Sequence, residues 1–189
     1  MKKLSLLLIA IAISFTACKK EKKDTKTIET ETTETAVVAP KKVKITLSAK
    51  SDSNVSGNVV FKEVNGEVSM TAIISGLTPG QHAIHIHNSS DCSSPDGKSA
   101  GGHWNPTVKP HGKWGAETGY HKGDIGNFTA DENGNGTVSF TTNEWCIGCG
   151  DDTKDILGKG IIVHAGVDDL TSQPSGAAGA RVSCAGIIQ

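Results

Sequence analysis

Short runs of alternating apolar and polar residues recur along most of the chain after residue 42. They are rich in β-branched side chains and are separated by turn sequences such as Asn65-Gly66 and Thr78-Pro79-Gly80. No window of helical length shows a 3.6-residue apolar period. The pattern therefore predicts an all-β protein of about eight strands, over residues 43–50, 55–64, 67–77, 83–87, 124–130, 136–142, 160–164 and 180–188.

Two long stretches, residues 88–123 and 165–179, interrupt the strand pattern. Short strands joined by glycine-rich connections are typical of a β-sandwich or a β-barrel. Long loops in a small domain are usually either functional or disordered. Because the first stretch carries three of the seven histidines, we expect it to be functional.

The first 42 residues have a different composition. Residues 1–18 combine a basic start, an apolar run too short to span a membrane and small residues before Cys18, which predicts a signal peptide. The ending Phe-Thr-Ala-Cys resembles a bacterial lipobox and makes Cys18 the expected lipidation site. Ordinary secretion and an unprocessed core helix are the alternatives.

Residues 19–42 consist mainly of Lys, Glu and Thr, which cannot bury enough apolar surface to become ordered, so they are expected to form a disordered tether. The folded domain is then expected to span residues 43–189. Lipidation would anchor this domain in the bacterial cell envelope, facing either the periplasm or the exterior.

The net charge of −1 conceals an uneven distribution. From residue 51 onward, eight Lys and Arg residues stand against fifteen Asp and Glu residues. A nucleic-acid-binding domain needs a basic face, so the acidic domain argues against nucleic acid as a partner.

All seven histidines lie between residues 82 and 164. Because residues two apart on a strand share a face, His85 and His87 point the same way, and His164 at the end of another strand could complete their site. Ligation by nitrogen alone favours copper, which heads the divalent affinity order. A set of structural or surface histidines is the alternative, and His82 is expected to be structural.

A second candidate metal site comprises His103, His111, His121 and Asp124. Three imidazole nitrogens and one carboxylate oxygen are an ordinary tetrahedral zinc set. Asp124 alone could be a turn or capping carboxylate, but its place beside three histidines favours a ligand.

With these residues identified, the chain resembles the bacterial copper/zinc superoxide dismutases. The matching stretches cover most of residues 55–188: HAIHIH (82–87), DCSSPDGKSAGGHWNP (91–106), His111, GYHKGDIGN (119–127), IVHAGVDDL (162–170) and GARVSCAGI (179–187). The resemblance implies a Greek-key β-barrel with two long functional loops. It also implies an oxidoreductase that converts two superoxide anions and two protons into O₂ and hydrogen peroxide.

The resemblance also assigns roles to individual residues, with one copper and one zinc per chain. The implied copper ligands are His85, His87, His103 and His164. The implied zinc ligands are His103, His111, His121 and Asp124. His103 would bridge the two metals and carry a proton during catalysis. Asp168 would link His85 to His111, with an ordinary loop acid as the alternative.

Arg181, the single arginine of the chain, matches the family residue that holds superoxide beside copper; a surface arginine is the alternative. Many relatives carry cations in the last long loop, but residues 169–180 contain no lysine, so we expect electrostatic steering of superoxide to be weak.

The resemblance pairs Cys92 with Cys184 in a disulfide. Cys146 and Cys149 lie outside the family pattern. A local disulfide is the favoured interpretation, while a redox-reactive pair and a soft copper-acquisition site are the alternatives.

Three functions compete at this point. The enzyme is favoured because every ligand position and Arg181 are filled. A copper or zinc carrier built on the same fold is the second hypothesis, and a structural surface lipoprotein is the third. The chain is expected to be a monomer or a homodimer.

Overall fold

The computed structural model describes residues 39–189. The predicted signal peptide, Cys18 and the tether up to residue 38 lie outside these residues. Among residues 39–189, no helix has the length and apolar character needed to cross a membrane.

Eight antiparallel strands close into a barrel, which confirms the predicted all-β fold and strand number. The strands are β1 (Lys41–Ala49), β2 (Ser56–Val64), β3 (Glu67–Ser75), β4 (Gly80–His87), β5 (Gly126–Ala130), β6 (Gly136–Thr142), β7 (Gly160–His164) and β8 (Arg181–Gly186). Their order around the barrel is β1-β2-β3-β6-β5-β4-β7-β8. The crossovers that place β6 beside β3 and β7 beside β4 give the barrel a Greek-key connectivity.

The strand boundaries differ from the sequence prediction in two places that matter. β1 begins at Lys41, two residues before the predicted start of the domain. β5 begins at Gly126, so Asp124 lies in the preceding loop instead of in a strand. Its carboxylate accepts hydrogen bonds from the backbone N–H groups of Gly112 and His121, which holds this part of the chain outside the sheet.

Most of the barrel is buried on one face only. In β3, for example, Val68, Met70, Ala72 and Ile74 are buried and alternate with more exposed residues. Full burial of an aliphatic side chain of this kind stabilises the fold by about 1.5–3 kcal/mol. The strict alternation explains why the sequence predicted these strands.

β4 and β7 are exceptions because they are buried on both faces. Ile84 and Ile86 belong to the barrel core, while His85 and His87 on the opposite face are also fully buried. All five residues of β7 are buried as well. The second face of these strands is therefore covered by the two long loops, residues 88–125 and 165–180, and the histidines lie between strand and loop.

A disulfide between Cys92 and Cys184 attaches the first long loop to β8 across 92 residues of sequence. A 3-10 helix, Lys98–Ala100, follows the attachment point. The loop is thus fixed covalently to the barrel beside β7.

Candidate metal centre

Strand pairing brings three of the predicted ligands together. β4 pairs with β7 in a register that sets His85 opposite Ile162 and His87 opposite Gly160, and His164 ends β7. His103 joins them through an isolated β-bridge to His87. The ring centroid of His85 lies 4.0 Å from that of His103 and 4.9 Å from that of His164. We call these four residues the strand group, since β4 and β7 supply three of them.

The strand group presents four nitrogen atoms that lack hydrogen-bond partners. They are buried: Nδ1 of His85 and Nε2 of His87, His103 and His164. A buried polar atom without a partner destabilises a fold by about 1–3 kcal/mol, so four such atoms need a common explanation. Ligand atoms of all four residues lie within 4.8 Å of one another, the arrangement that a metal ion satisfies.

The other ring nitrogens in this group are fixed by acceptors. Nδ1 of His87 donates to the carbonyl oxygen of Gly101 at 2.9 Å, and Nδ1 of His164 lies 3.4 Å from the carbonyl oxygen of Gly179. A carbonyl can only accept, so the proton sits on Nδ1 and the lone pair of Nε2 points into the group. The tautomer that metal binding needs is therefore already selected.

The second group is built on the first long loop, and we call it the loop group: His103, His111, His121 and Asp124. Asp124 lies at its middle. Its Oδ1 is 2.8 Å from Nδ1 of His103 and 3.2 Å from Nδ1 of His121, and its Oδ2 is 3.0 Å from Nδ1 of His111.

Two of these close contacts are not hydrogen bonds, because Nδ1 of His111 and of His121 lack a partner of acceptable geometry. Four ligands about 2.0 Å from a tetrahedral zinc ion would have ligand atoms about 3.3 Å apart. The distances of 3.0 and 3.2 Å from Asp124 oxygens to Nδ1 of His111 and of His121 are close to this ligand–ligand distance. The residues present therefore fit zinc.

The loop group is placed beside the strand group by backbone pairing with β4. Ile86 donates its N–H to the carbonyl oxygen of Gly123 and its carbonyl accepts the N–H of Trp104. Gly123 in turn donates to Trp104. A side chain at Gly123 would collide with the Ile86 carbonyl, so glycine is required between His121 and Asp124.

Asp168 connects the two groups from the second long loop. Its Oδ2 lies 2.8 Å from Nε2 of His85 and its Oδ1 lies 2.9 Å from Nε2 of His111. Its backbone is held by paired hydrogen bonds with the side chain of Asn127, both 2.8 Å long. The carboxylate thus orients one ring of each group, which is the position that the resemblance implied for it.

Burial keeps three histidines of the strand group neutral: His87, His103 and His164. Desolvation, assisted by the neighbouring histidines, lowers the pKa of His87 and lowers those of His103 to about 4 and His164 to about 3. These rings can therefore offer lone pairs at neutral pH.

The loop group behaves differently in the absence of metal. Burial opposes charge on His111, but the neighbouring carboxylates of Asp124 and Asp168 outweigh it and raise the pKa of His111 to about 9. Burial also disfavours charge on these two carboxylates, yet their histidine partners hold both pKa values well below the usual range. His111 therefore carries a proton at neutral pH until a metal replaces it.

The predicted anion-binding arginine lies at the entrance to the strand group. Arg181 lines an open cavity of about 360 Å³ together with four histidines, His87, His103, His121 and His164. Nη1 of Arg181 donates to the carbonyl oxygen of Gly97 at 2.8 Å, which fixes the guanidinium. The lining residues, all within the described part of the chain, include no carboxylate. The entrance is therefore suited to a small anion.

Among residues 39–189 the other two cysteines are paired as well, since Cys146 and Cys149 form a local disulfide. Asp155 lies beside them, but its carboxylate accepts backbone N–H groups of Gly148, Gly150 and Leu157. The carboxylate is thus used to build the turn, which agrees with a local structural disulfide.

Several supporting groups could not be recognised in the sequence. Gly101 and Gly179 act through their backbone carbonyls, which carry no sequence signal. Gln173 accepts the N–H of His111 and donates to its carbonyl, although nothing in its surroundings marks it. His82, expected to be structural, has Nδ1 2.9 Å from the carbonyl oxygen of His164.

Comparisons with known proteins agree with this geometry. Residues 55–187 match the copper/zinc superoxide dismutase family. A double mutant of a SOD-like protein from Bacillus subtilis is 31% identical, with a TM-score of 0.69, over 77% of this chain and 97% of that one. The clock protein EA4 is 30% identical, with a TM-score of 0.68, over 80% of this chain and 97% of its own.

Proposed function

The chain belongs to the copper/zinc superoxide dismutase family, and on that basis we propose that it is an active superoxide dismutase. The proposed reaction converts two superoxide anions and two protons into O₂ and hydrogen peroxide. One observation carries the proposal. The buried ring of His103 offers Nδ1 to the loop group and an unpartnered Nε2 to the strand group, so one side chain serves both sites.

The proposal assigns copper to the strand group and zinc to the loop group. The strand group offers four nitrogens and no oxygen, a ligand set that suits copper. The loop group offers three nitrogens and a carboxylate, a set that suits zinc. When bound, copper supplies one-electron redox chemistry and zinc supplies a fixed charge without redox activity.

The side chains of the protein perform the remaining tasks. Arg181 attracts and orients the superoxide anion, because a guanidinium stays charged and the bond to Gly97 leaves other donors free. His103 lines the same cavity, and its Nε2 is the atom to which we assign the proton passed to the reduced substrate. Asp168 keeps His85 and His111 in the orientation that both groups need.

We also propose that the enzyme acts in the bacterial cell envelope, anchored by a lipid on Cys18. The support is the sequence alone: a basic start, a short apolar run and the ending Phe-Thr-Ala-Cys. Metabolic labelling with a radioactive fatty acid would label the parent chain and leave Cys18→Ser unlabelled. Equal labelling of the two would contradict the anchor.

The decisive experiment measures superoxide decay with residues 19–189, reconstituted with copper and zinc, by stopped-flow absorbance. Catalysis should need copper and should fall in His87→Ala to the background of the copper-free chain. Gln81→Ala, at an exposed position on the same strand, is the control and should retain full activity. Stoichiometric copper binding without turnover in the parent chain would favour a carrier over an enzyme.

A further inference from the structure

One carboxylate holds both neighbours of the loop-group ligand His121. The hydroxyl of Tyr120 donates to Oε1 of Glu144 at 2.6 Å, and Nζ of Lys122 pairs with Oε2 of the same residue. Glu144 lies more than 20 residues further along the chain, just after β6. The backbone of His121 is therefore fixed from both sides by a residue that does not belong to its loop.

The next residue adds a second attachment. The indole Nε1 of Trp145 donates to the backbone carbonyl of Lys122 at 2.8 Å. Trp145 is 1% exposed, and its ring packs 5.7 Å from Trp114, which itself lies 4.9 Å from the ring of Tyr120. A buried tryptophan usually finds a partner for its N–H, and here that partner is the chain beside the ligand.

The segment that carries these two residues is anchored to the barrel. The N–H of Glu144 donates to Oγ1 of Thr142 in β6, and the N–H of Ile147 donates to Oε2 of Glu63 in β2. The ring of Trp145 also packs 6.4 Å from that of Phe61 in the core. Its position is thus set by barrel strands and is independent of the metal ligands.

His121 needs this support more than its partners do. His85 and His111 are oriented by Asp168, and His87 by a backbone carbonyl. Nδ1 of His121 has no hydrogen-bond partner, as is also true of His85 and His111. Unlike those two rings, and among residues 39–189, the ring of His121 has no acceptor at Nε2 either. A ligand without a partner for its ring depends on its backbone for orientation, and pre-ordering that backbone reduces the entropy lost on binding.

We infer that Glu144 and Trp145 are positioning residues for zinc, acting through the two neighbours of His121. This inference rests on the proposed assignment of zinc to the loop group. Glu144 and Trp145 bond to the two residues that flank His121, and neither bonds to the strand-group histidines of β4 and β7. Replacing them should therefore change the affinity for zinc and leave the affinity for copper unchanged.

The test is a competition titration of zinc against a chromogenic chelator, using residues 19–189 free of copper and with both disulfides intact. Glu144→Gln removes the negative charge that pairs with Lys122. Trp145→Phe removes the indole N–H that donates to the backbone carbonyl of Lys122. Each should weaken zinc binding about tenfold, at the low end of the effect of supporting groups around metal ligands. Glu132→Gln, the same change at an exposed position, should have no effect.

Two further measurements separate positioning from general destabilisation. Co²⁺ bound in place of zinc should show weakened or shifted visible bands in Glu144→Gln, because these bands depend on tetrahedral geometry. Copper affinity of the same variants should stay within about twofold of the parent, whereas a merely structural role would weaken both metals together.

Zinc affinities of Glu144→Gln and Trp145→Phe equal to that of Glu132→Gln would overturn the inference. If either variant does not fold, Tyr120→Phe removes a single hydroxyl from the same contact and should still weaken zinc binding; an unchanged affinity there would also overturn it. A parent chain that binds copper but no zinc would refute the zinc assignment itself, a result distinct from a failure of the positioning role.

Discussion

The strand group and the loop group share His103 but are held by different means. The strand group takes three of its four histidines from two paired strands, whose ladder of hydrogen bonds fixes backbone and side-chain direction together. The loop group has no regular structure under it. Side-chain hydrogen bonds, a disulfide and contacts with β4 hold its ligands in place.

This difference predicts which group is more sensitive to change. A ligand on a strand is lost only when the sheet opens, whereas a ligand on a loop is displaced whenever a supporting contact is removed. Removal of supporting contacts should therefore weaken zinc binding first. The four predictions below test this comparison, from the largest expected effect to the smallest.

The largest effect should come from opening the disulfide that attaches the loop to the barrel. Replacing Cys92 and Cys184 by serine should lower the free energy of unfolding by about 4–5 kcal/mol, because the bond closes a very long segment. Urea denaturation of the metal-free chain would measure it, and zinc affinity should fall more than copper affinity.

The second disulfide provides a matched control for this prediction. Replacing Cys146 and Cys149 by serine removes a disulfide whose cysteines are only three residues apart in sequence. It should lower the free energy of unfolding by about 2 kcal/mol. Equal losses from the two double variants, or copper affinity falling before zinc affinity, would contradict the comparison.

The next effect concerns the loop that covers Asp168. Gly176 has φ +67, and a Cβ there would run into the Asp168 carboxylate and Nε2 of His111. Gly176→Ala should lower the free energy of unfolding by about 2–3 kcal/mol, because steric displacement adds to backbone strain.

Gly179→Ala is the matched control. It carries similar backbone strain, with φ +80, but its Cβ would meet no atom closer than 3.8 Å. It should lower the free energy of unfolding by about 1 kcal/mol, and thermal unfolding of the two variants side by side would show whether the collision matters.

Proton release should distinguish the two groups at neutral pH. With its pKa raised to about 9, His111 is protonated in the metal-free chain at pH 7, so zinc must expel about one proton on binding. His103 and His164 of the strand group, with pKa values of about 4 and 3, should contribute almost no proton release when copper binds. Calorimetry in two buffers of different ionisation enthalpy measures both quantities.

The same shift has a consequence for stability without metal. Because the pKa of His111 is raised above its ordinary value of 6.5, its stabilising contribution is complete below about pH 6.5 and is lost as the pH rises through about 9. Zinc-linked proton release should disappear over the same range. Release that stays constant up to pH 10 would show that His111 is not the source of the proton.

The smallest effect should be that of salt on catalysis. Residues 169–180 contain no lysine and the domain is acidic, so the rate should change less than about twofold between low and physiological ionic strength. Thr171→Lys, at an exposed position in this loop, should introduce a rate that falls with salt. A steep dependence in the parent chain would show that lysines elsewhere steer the substrate.

From the residue pattern alone the sequence predicted three of the strand-group histidines and all four residues of the loop group, whereas the place of His103 in both groups came only from the resemblance. Alternation placed His85 and His87 on one face because a strand fixes side-chain direction. The prediction that Asp124 lies in a strand was wrong. Its carboxylate accepts hydrogen bonds from two backbone N–H groups, which hold the residue in the loop. Gly101 and Gly179 act through carbonyls, and Glu144 reaches Tyr120 only after folding, so local sequence could not reveal them.

The barrel is closed by two short seams. β5 and β6 share one residue pair, Ala130 with Gly136, and β1 and β8 share two, at Ser48–Cys184 and Ala49–Ser183. Every strand among residues 39–189 has a neighbour on both sides, so no strand of this part of the chain is wholly unpaired along one edge, where a second chain could add a strand. Aggregation then requires a seam to separate first. Cys184 lies in one of the seams and carries the disulfide to Cys92, so reducing agents should promote aggregation at temperatures well below unfolding.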